Sequence, residues 1–217
     1  CNGVGTPVYI VHRLYRNIKT NLVFNDIDWL SSFVEKLAQR CGKYISYAKP
    51  ILDGSLPDGS RVNATYTVDI SSKGPTFTIR KFTKTPWTPP QLISFNSLSP
   101  EMLAYLWILV QYKMNILITG GTSSGKTTLL NAIAFFIPPE ARVVSIEDTK
   151  EINLPRENWL PSVVRGATGL ENAGEIDLFT LLRSSFRQNP NYVIVGDVRG
   201  KEAYVLFQGM ASGHSSI

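Results

Sequence analysis

The 217-residue chain is 43% hydrophobic and 18% charged with a formal net charge of +5, which excludes a disordered polyelectrolyte and leaves a core-forming chain of one large or two small domains. Its Lys and Arg residues are scattered and no basic run recurs on one face, so a solvated surface accounts for the charge without nucleic acid or an anionic membrane. Cys1 and Cys41 stand in no metal or redox spacing, which argues against a disulfide framework and for a reducing cytoplasm.

In chain order, "PVYIVHRLY" at 7–15 is rich in β-branched and aromatic residues and predicts a strand. Ile27, Leu30, Val34, Leu37 and Ala38 then recur at helical spacing, with Asn25 or Asp26 as caps and Gly42 as the stop. "LPDGSRVNATYTVDI" reads as a Pro-Asp-Gly turn entering a strand, and "GPTFTIRKF" as a further strand after a Gly-Pro turn. These pieces make a small α+β domain over residues 1–82. Pro86, Pro89 and Pro90 mark 83–99 as a Pro-rich linker.

A helix is predicted over 100–113, followed by the short apolar runs "NILIT" at 115–119, "RVVSIED" at 142–148 and "YVIVGDV" at 192–198. Such runs suit strands buried on both faces. With helices expected at 126–136 and 176–188, residues 100–217 read as a mostly parallel α/β domain. The longest apolar run, 104–119, is broken by Gln111, Lys113 and Asn115 and falls short of the ~18 apolar residues a spanning helix needs. There is no initiator Met, and the chain stops at "GHSSI" amid structured-looking sequence, so a fragment of a longer protein is expected.

"GGTSSGKTT" carries the chemistry. Gly120, Gly125, Lys126 and Thr127 have the G-x-x-x-x-G-K-[ST] spacing between a strand and an apolar helix, which turns the pattern into a structural proposal. Gly120, Gly121, Thr122, Ser123, Ser124 and Gly125 would curl backbone N–H groups around phosphates, with Thr128 continuing into the helix. The helix N-terminus adds partial positive charge, Lys126 neutralises phosphate and the Thr127 hydroxyl can ligate Mg²⁺. Hydrolysis further needs one carboxylate near the metal and one to orient or deprotonate water. Glu147 and Asp148 end the second expected strand and Asp197 the third, where an open α/β sheet binds ligands. His214 stands alone between Gly213 and two serines and on local sequence is a structural residue as readily as a phosphate contact. Arg183 and Arg187, four apart, share a helix face that is either solvated or directed at phosphates across a subunit boundary.

"GGTSSGKTT", "SIEDTKEI", "PNYVIVGDVRGKEA" and "GMASGHSS" stand in one order that resembles the secretion-superfamily ATPases of type II and type IV secretion, type IV pili and the archaellum. There the four are called Walker A, Asp box, Walker B and His box. The resemblance extends through "GSRVNATY", "GPTFTIRKF", "LSPEMLAYLW" and "GEIDLFTLLRSSFRQNP" and is greatest to the archaeal branch that drives pilus or archaellum assembly.

It implies a RecA-like P-loop ATPase domain, C-terminally truncated here, behind the α+β domain. It also implies ATP and Mg²⁺ bound by Lys126 and Thr127, Glu147 as the carboxylate that activates water and a further metal contact, and Asp197 near the metal. His214 would sense the γ-phosphate. Arg165, Arg183 and Arg187 would match the arginines between Asp box and Walker B, and Arg61 and Arg80 N-terminal-domain arginines that approach nucleotide. As partners it implies a homohexamer at full length and a polytopic membrane platform protein, with peripheral docking at the inner face of the cell membrane and no nucleic acid.

One departure stands out: "VGDVRG" has Asp197 where the family commonly has Glu, which shortens the reach by one methylene. A nucleotide kinase, a RecA-type nucleic-acid translocase and a non-catalytic nucleotide-binding assembly subunit are the alternatives. The first would need an acceptor pocket and lid, the second basic-aromatic patches, and the third draws on Asp197.

Overall fold

A computed structural model describes residues 1–12, 14–82, 85–165 and 174–217. The chain divides into two compact units, Cys1–Phe82 and Thr83–Ile217.

In the first unit, β1 (Pro7–His12) and β2 (Arg16–Val23) form an antiparallel hairpin. Helix α1 (Ile27–Arg40) packs on an antiparallel sheet of β3 (Ile51–Ser55), β4 (Arg61–Thr65) and β5 (Thr76–Arg80) in the order β3-β4-β5. Helix α1 begins where expected: Asp26 accepts the Asp28 N–H at 2.8 Å and satisfies a donor the helix leaves unpaired. Leu30, Val34, Leu37 and Ala38 are its buried stripe and meet Leu52, Val62, Ala64 and Phe77 from the sheet. Each large side chain so buried contributes roughly 2 kcal/mol.

The expected strand at 7–15 ends at His12, and β2 and β3 were not expected. "RNIKTNLV" is exposed along most of its length and so lacks a readable alternation, and β3 contains Asp53 and Gly54. Pairing with β1 and β4 makes them strands.

In the second unit the Pro-rich stretch contains helix α2 (Pro89–Ser94). Pro89 and Pro90 begin it, because a first-turn residue has no use for the missing N–H, and Gln91 Oε1 accepts the Thr88 N–H at 2.9 Å. Thr83 and Lys84 of the expected linker lie outside the described residues. Helix α3 (Pro100–Gln111) follows, capped by Ser99.

Then come α4 (Lys126–Ala134), β6 (Val143–Glu147), β7 (Trp159–Val163), α5 (Leu178–Ser185), a 3-10 turn (Phe186–Gln188), β8 (Tyr192–Val195) and α6 (Glu202–Ala211). The sheet is parallel in the order β7-β6-β8. Strands β6 and β8 are buried throughout, which is why both read as unbroken apolar runs. Their alternate side chains feed two cores. Val143, Tyr192 and Ile194 join Val110, Leu130 and Ile133 on one face, and Val144, Ile146, Val193 and Val195 join Leu182, Val205 and Leu206 on the other. Helices thus cover both faces of the sheet.

Strand β7 carries Pro161, which hides it from a strand search but suits an edge position, where a missing N–H breaks no inner ladder. Residues 215–217 extend the sheet beyond β8: Val193 N–H donates to Ser215 O at 2.9 Å and Ile217 N–H to Val193 O at 2.9 Å, in a parallel bridge. The expected strand at 115–119 is irregular. Ile116 N–H donates to Ser216 O at 3.0 Å, which lays this segment beside residues 215–217. No helix among the described residues is long and apolar enough to cross a membrane.

Candidate nucleotide site

The register Ile146↔Val195 places the exits of β6 and β8 side by side, so Glu147 and the Gly196–Asp197 pair leave the same carboxyl edge of the sheet. Gly196 N–H donates to Ile146 O at 2.9 Å, and a Cβ on Gly196 would stand 3.4 Å from Glu147 Cγ. The Asp-box and Walker-B segments are therefore in contact.

The 120–125 loop precedes α4 and is exposed, with Lys126, Thr127 and Thr128 half-buried. Gly125, the residue before the helix, has φ +96°, a left-handed conformation that side chains with a Cβ rarely adopt. A Cβ on Gly120 would stand 2.6 Å from Ser124 Oγ, so the two residues are packed closely within the loop. Lys126 Nζ donates to Gly120 O at 3.0 Å and Gly121 O at 2.8 Å, so the ammonium lies over the loop. Phosphate oxygens can replace both exposed bonds. The N-terminus of α4 adds unpaired N–H groups and the positive end of its dipole.

Buried Asn131 ties this helix to the carboxyl edge. Its Nδ2 donates to Thr127 O at 3.0 Å and to Glu151 O at 3.2 Å, and its Oδ1 accepts the Asn153 N–H at 2.9 Å. At the far end of α4, the Arg156 guanidinium donates to Ile137 O at 2.9 Å and Pro138 O at 3.1 Å, which fixes the exit of that helix.

Glu147 is buried at the end of β6. The residue is 2% exposed, Oε1 accepts the N–H groups of Glu151 and Ile152 at 2.7 Å each, and Oε2 is buried with no hydrogen-bond partner among the described residues. Burial pushes its carboxyl up to about 7, against the opposing pull of those two N–H donors. A carboxylate so enclosed shapes the 148–152 loop. The sequence around it does carry other acids at the same edge: Asp148 is exposed and Glu151 half-buried. Glu151 is the residue sequence reading passed over, although "EDTKE" contains it.

Asp197 is exposed and paired with the Arg199 guanidinium. The loop beyond it is set by Glu202, which sequence reading also missed: its Oε1 accepts the Arg199 and Gly200 N–H groups at 2.7 Å each. Lys201 reaches Asp177 at 2.6 Å, and Asp177 also caps α5 by accepting the Thr180 N–H at 2.9 Å.

Arg183 is exposed on α5, its guanidinium 5.7 Å from the centre of the Phe179 ring, whereas Arg187 lies on the 3-10 turn after the helix has ended at Ser185. The two do not share one continuous helical face. Arg165 donates from Nε to Gly174 O at 2.6 Å. In the other unit, Arg61 and Arg80 face each other across β4 and β5, and Arg61 is 3.1 Å from Asp53.

His214 departs from expectation. It precedes 215–217, which run parallel to β8 with Ser216 beside Val193, so it lies at the amino edge of the sheet. The length of β8, roughly 10 Å, separates it from the Asp197 edge. Its ring packs 4.6 Å from that of Phe186, with Nδ1 3.2 Å from Ser212 Oγ. Its partners, Phe186 and Ser212, do not include the Gly120–Lys126 loop.

A family model described as "Type II/IV secretion system protein" matches residues 11–217. An uncharacterised protein of Methanocaldococcus jannaschii, MJ0900, is 47% identical over 206 residues, covering 95% of this chain and 37% of its own length. "Type IV secretion system protein PtlH" of Bordetella pertussis is 30% identical over 209 residues, 87% of this chain and 62% of its own. Among solved structures, the ATPase DotB of Legionella pneumophila aligns over 98% of this chain and 58% of its own with a TM-score of 0.64 at 19% identity. The pilus retraction motor PilT with bound ADP aligns over 98% and 60% with a TM-score of 0.62 at 17% identity. These two show the fold. The chain thus spans 37% of the archaeal relative and 62% of the bacterial one. With its α/β, RecA-like P-loop fold, it belongs to the type II/IV secretion system protein family.

Proposed function

We propose that this chain is the nucleotide-binding part of a motor that hydrolyses ATP to ADP and phosphate and uses the cycle to move pilin-like subunits or secreted protein through a membrane machine. The observation that carries the reading is the Gly120–Thr127 loop, with Lys126 Nζ held over it and α4 tied through Asn131 to the Asp-box segment at one edge of the sheet. At full length the protein works as a homohexamer, docked peripherally on a polytopic membrane platform at the cytoplasmic face.

The residues fit a phosphate chain with Mg²⁺. Loop N–H groups and Lys126 take the β- and γ-phosphate oxygens, and the Thr127 hydroxyl and Asp197 stand as the protein's contributions to a cation that keeps most of its waters. When bound, Mg²⁺ neutralises charge developing between β- and γ-phosphates. Asp197 must exchange its Arg199 partner to serve this role. Glu151 replaces Glu147 as the group that orients the attacking water and accepts its proton, because its backbone is fixed on both sides at the catalytic edge while its side chain is half-buried. Arg183, Arg187 and Arg165, exposed on the same unit, are candidates for phosphates bound by a neighbouring subunit. Arg61 and Arg80 are N-terminal-domain candidates.

Phosphate release by the full-length protein, with no acceptor added and with and without DNA, tests this reading. Turnover that needs no acceptor and does not respond to DNA supports it. Turnover only with a small-molecule acceptor makes the protein a kinase, and stimulation by DNA makes it a translocase.

A further inference from the structure

Asn131 is out of place on composition grounds. It sits in "TTLLNAIA" among Leu130, Ala132, Ile133 and Ala134, all buried, and is itself 5% exposed. A buried amide costs a few kcal/mol unless its donors and acceptor are met, and leucine of similar size would serve the packing. Here all are met, and every partner is a backbone group with a place in the site. Thr127 O belongs to the first turn of α4, immediately after Lys126, while Glu151 O and Asn153 N–H flank Ile152, which is fully buried.

Glu147 Oε1 holds the same segment from the other side through the Glu151 and Ile152 N–H groups. Two buried polar side chains, one at the end of β6 and one on the phosphate-loop helix, thus place residues 151–153 with four hydrogen bonds. Such satisfied networks fix one arrangement and transmit displacement.

We infer that Asn131 is a positioning residue that couples phosphate binding in the 120–127 loop to the placement of residues 151–153. Phosphate held at the N-terminus of α4 immobilises its first turn, the Thr127 carbonyl included, and the Asn131 amide passes that constraint to Glu151 and Asn153. The effect on turnover rests on the reading of Glu151 as the water-activating carboxylate. The mechanical coupling does not.

The test uses the full-length protein and MgADP. Amide hydrogen exchange of a peptide covering 149–153 is followed with and without saturating MgADP, and kcat, KM for ATP and Kd for ADP are measured for the parent, Asn131→Leu and Asn131→Asp. In the parent, MgADP should slow exchange of the 151–153 amides by about tenfold or more. Asn131→Leu should keep its ADP Kd within about threefold, lose the ADP-dependent slowing and drop kcat by about tenfold or more with little change in KM. Asn131→Asp keeps the acceptor for Asn153 but sets a carboxylate against two carbonyls, and should fall at least as far.

Parental kcat and parental slowing in Asn131→Leu would overturn the inference. So would exchange at 151–153 in the parent that ignores MgADP, a comparison that needs no variant to fold. If Glu151→Gln keeps its turnover, the catalytic reading of Glu151 fails, while loss of ADP-dependent slowing in Asn131→Leu still upholds the coupling.

Discussion

Glu147 and Ile152 are joined by a hydrogen bond of 2.7 Å from the Ile152 N–H to Glu147 Oε1, and both residues are shut away from solvent. This bond ties the Asp-box segment to the end of β6, and Oε2 of Glu147 has no partner among the described residues. The folded protein holds that carboxyl proton up to about pH 7, against an ordinary value of 4.5. It therefore binds more protons than the unfolded chain between those values, and stability falls as pH rises through that window. The difference amounts to about 3 kcal/mol. Denaturant midpoints at pH 5 and pH 8 should show this loss in the parent and little of it in Glu147→Gln, whose side-chain oxygen still accepts both N–H groups.

The same geometry separates two carboxylates in catalysis. Glu147→Gln should keep ATP turnover within about an order of magnitude, because its contacts to Glu151 and Ile152 survive the substitution. Glu151→Gln should lose about a hundredfold or more in kcat with nucleotide affinity retained, since an amide cannot accept the water proton. Single-turnover phosphate release on both variants checks the pair, and the reverse order would return the role to Glu147.

How much of this was legible in the sequence depended on whether an element's environment repeats along it. Strands β6 and β8 read correctly because burial on both faces leaves an unbroken apolar run, and α1 because Asp26 caps a regular stripe. Strand β7 hid behind Pro161, which only its edge position tolerates, and β3 behind Gly54. At the site, the spacing from Gly120 to Thr127 is local and was plain. The burial of Glu147 was not, since a strand-end acid reads alike whether it points out or folds under the following loop. His214 could not be placed because its edge depends on the register of Ser216 with Val193, a long-range pairing without a local signature.

Asp197 is held by Arg199 at the exit of β8. Asp197→Ala should lose Mg²⁺-dependent turnover while Mg²⁺-free nucleotide binding persists, and Asp197→Glu should match or exceed the parent. ATPase rates across a Mg²⁺ titration check this. Equal Mg²⁺ midpoints and rates for Asp197→Ala and parent would remove this strand end from the metal site.

Arg183 and Arg187 are exposed on different local structures, α5 and the turn after it. If one of them serves a neighbouring subunit, its alanine variant should lose turnover only in the ring. Mixing that variant with Lys126→Ala subunits should then restore part of the rate at mixed interfaces. Proportional loss with no restoration at any ratio identifies a solvated arginine.

ATP hydrolysis is proposed at the Gly120–Thr127 loop, with the Lys126 ammonium held over it and directed at the phosphates. Its most direct measurement is steady-state phosphate release by the full-length protein against its Lys126→Ala variant. Turnover is expected in the parent and a loss on the order of a hundredfold or more in the variant, as removal of a charged phosphate contact requires. Equal rates in the two proteins would contradict it.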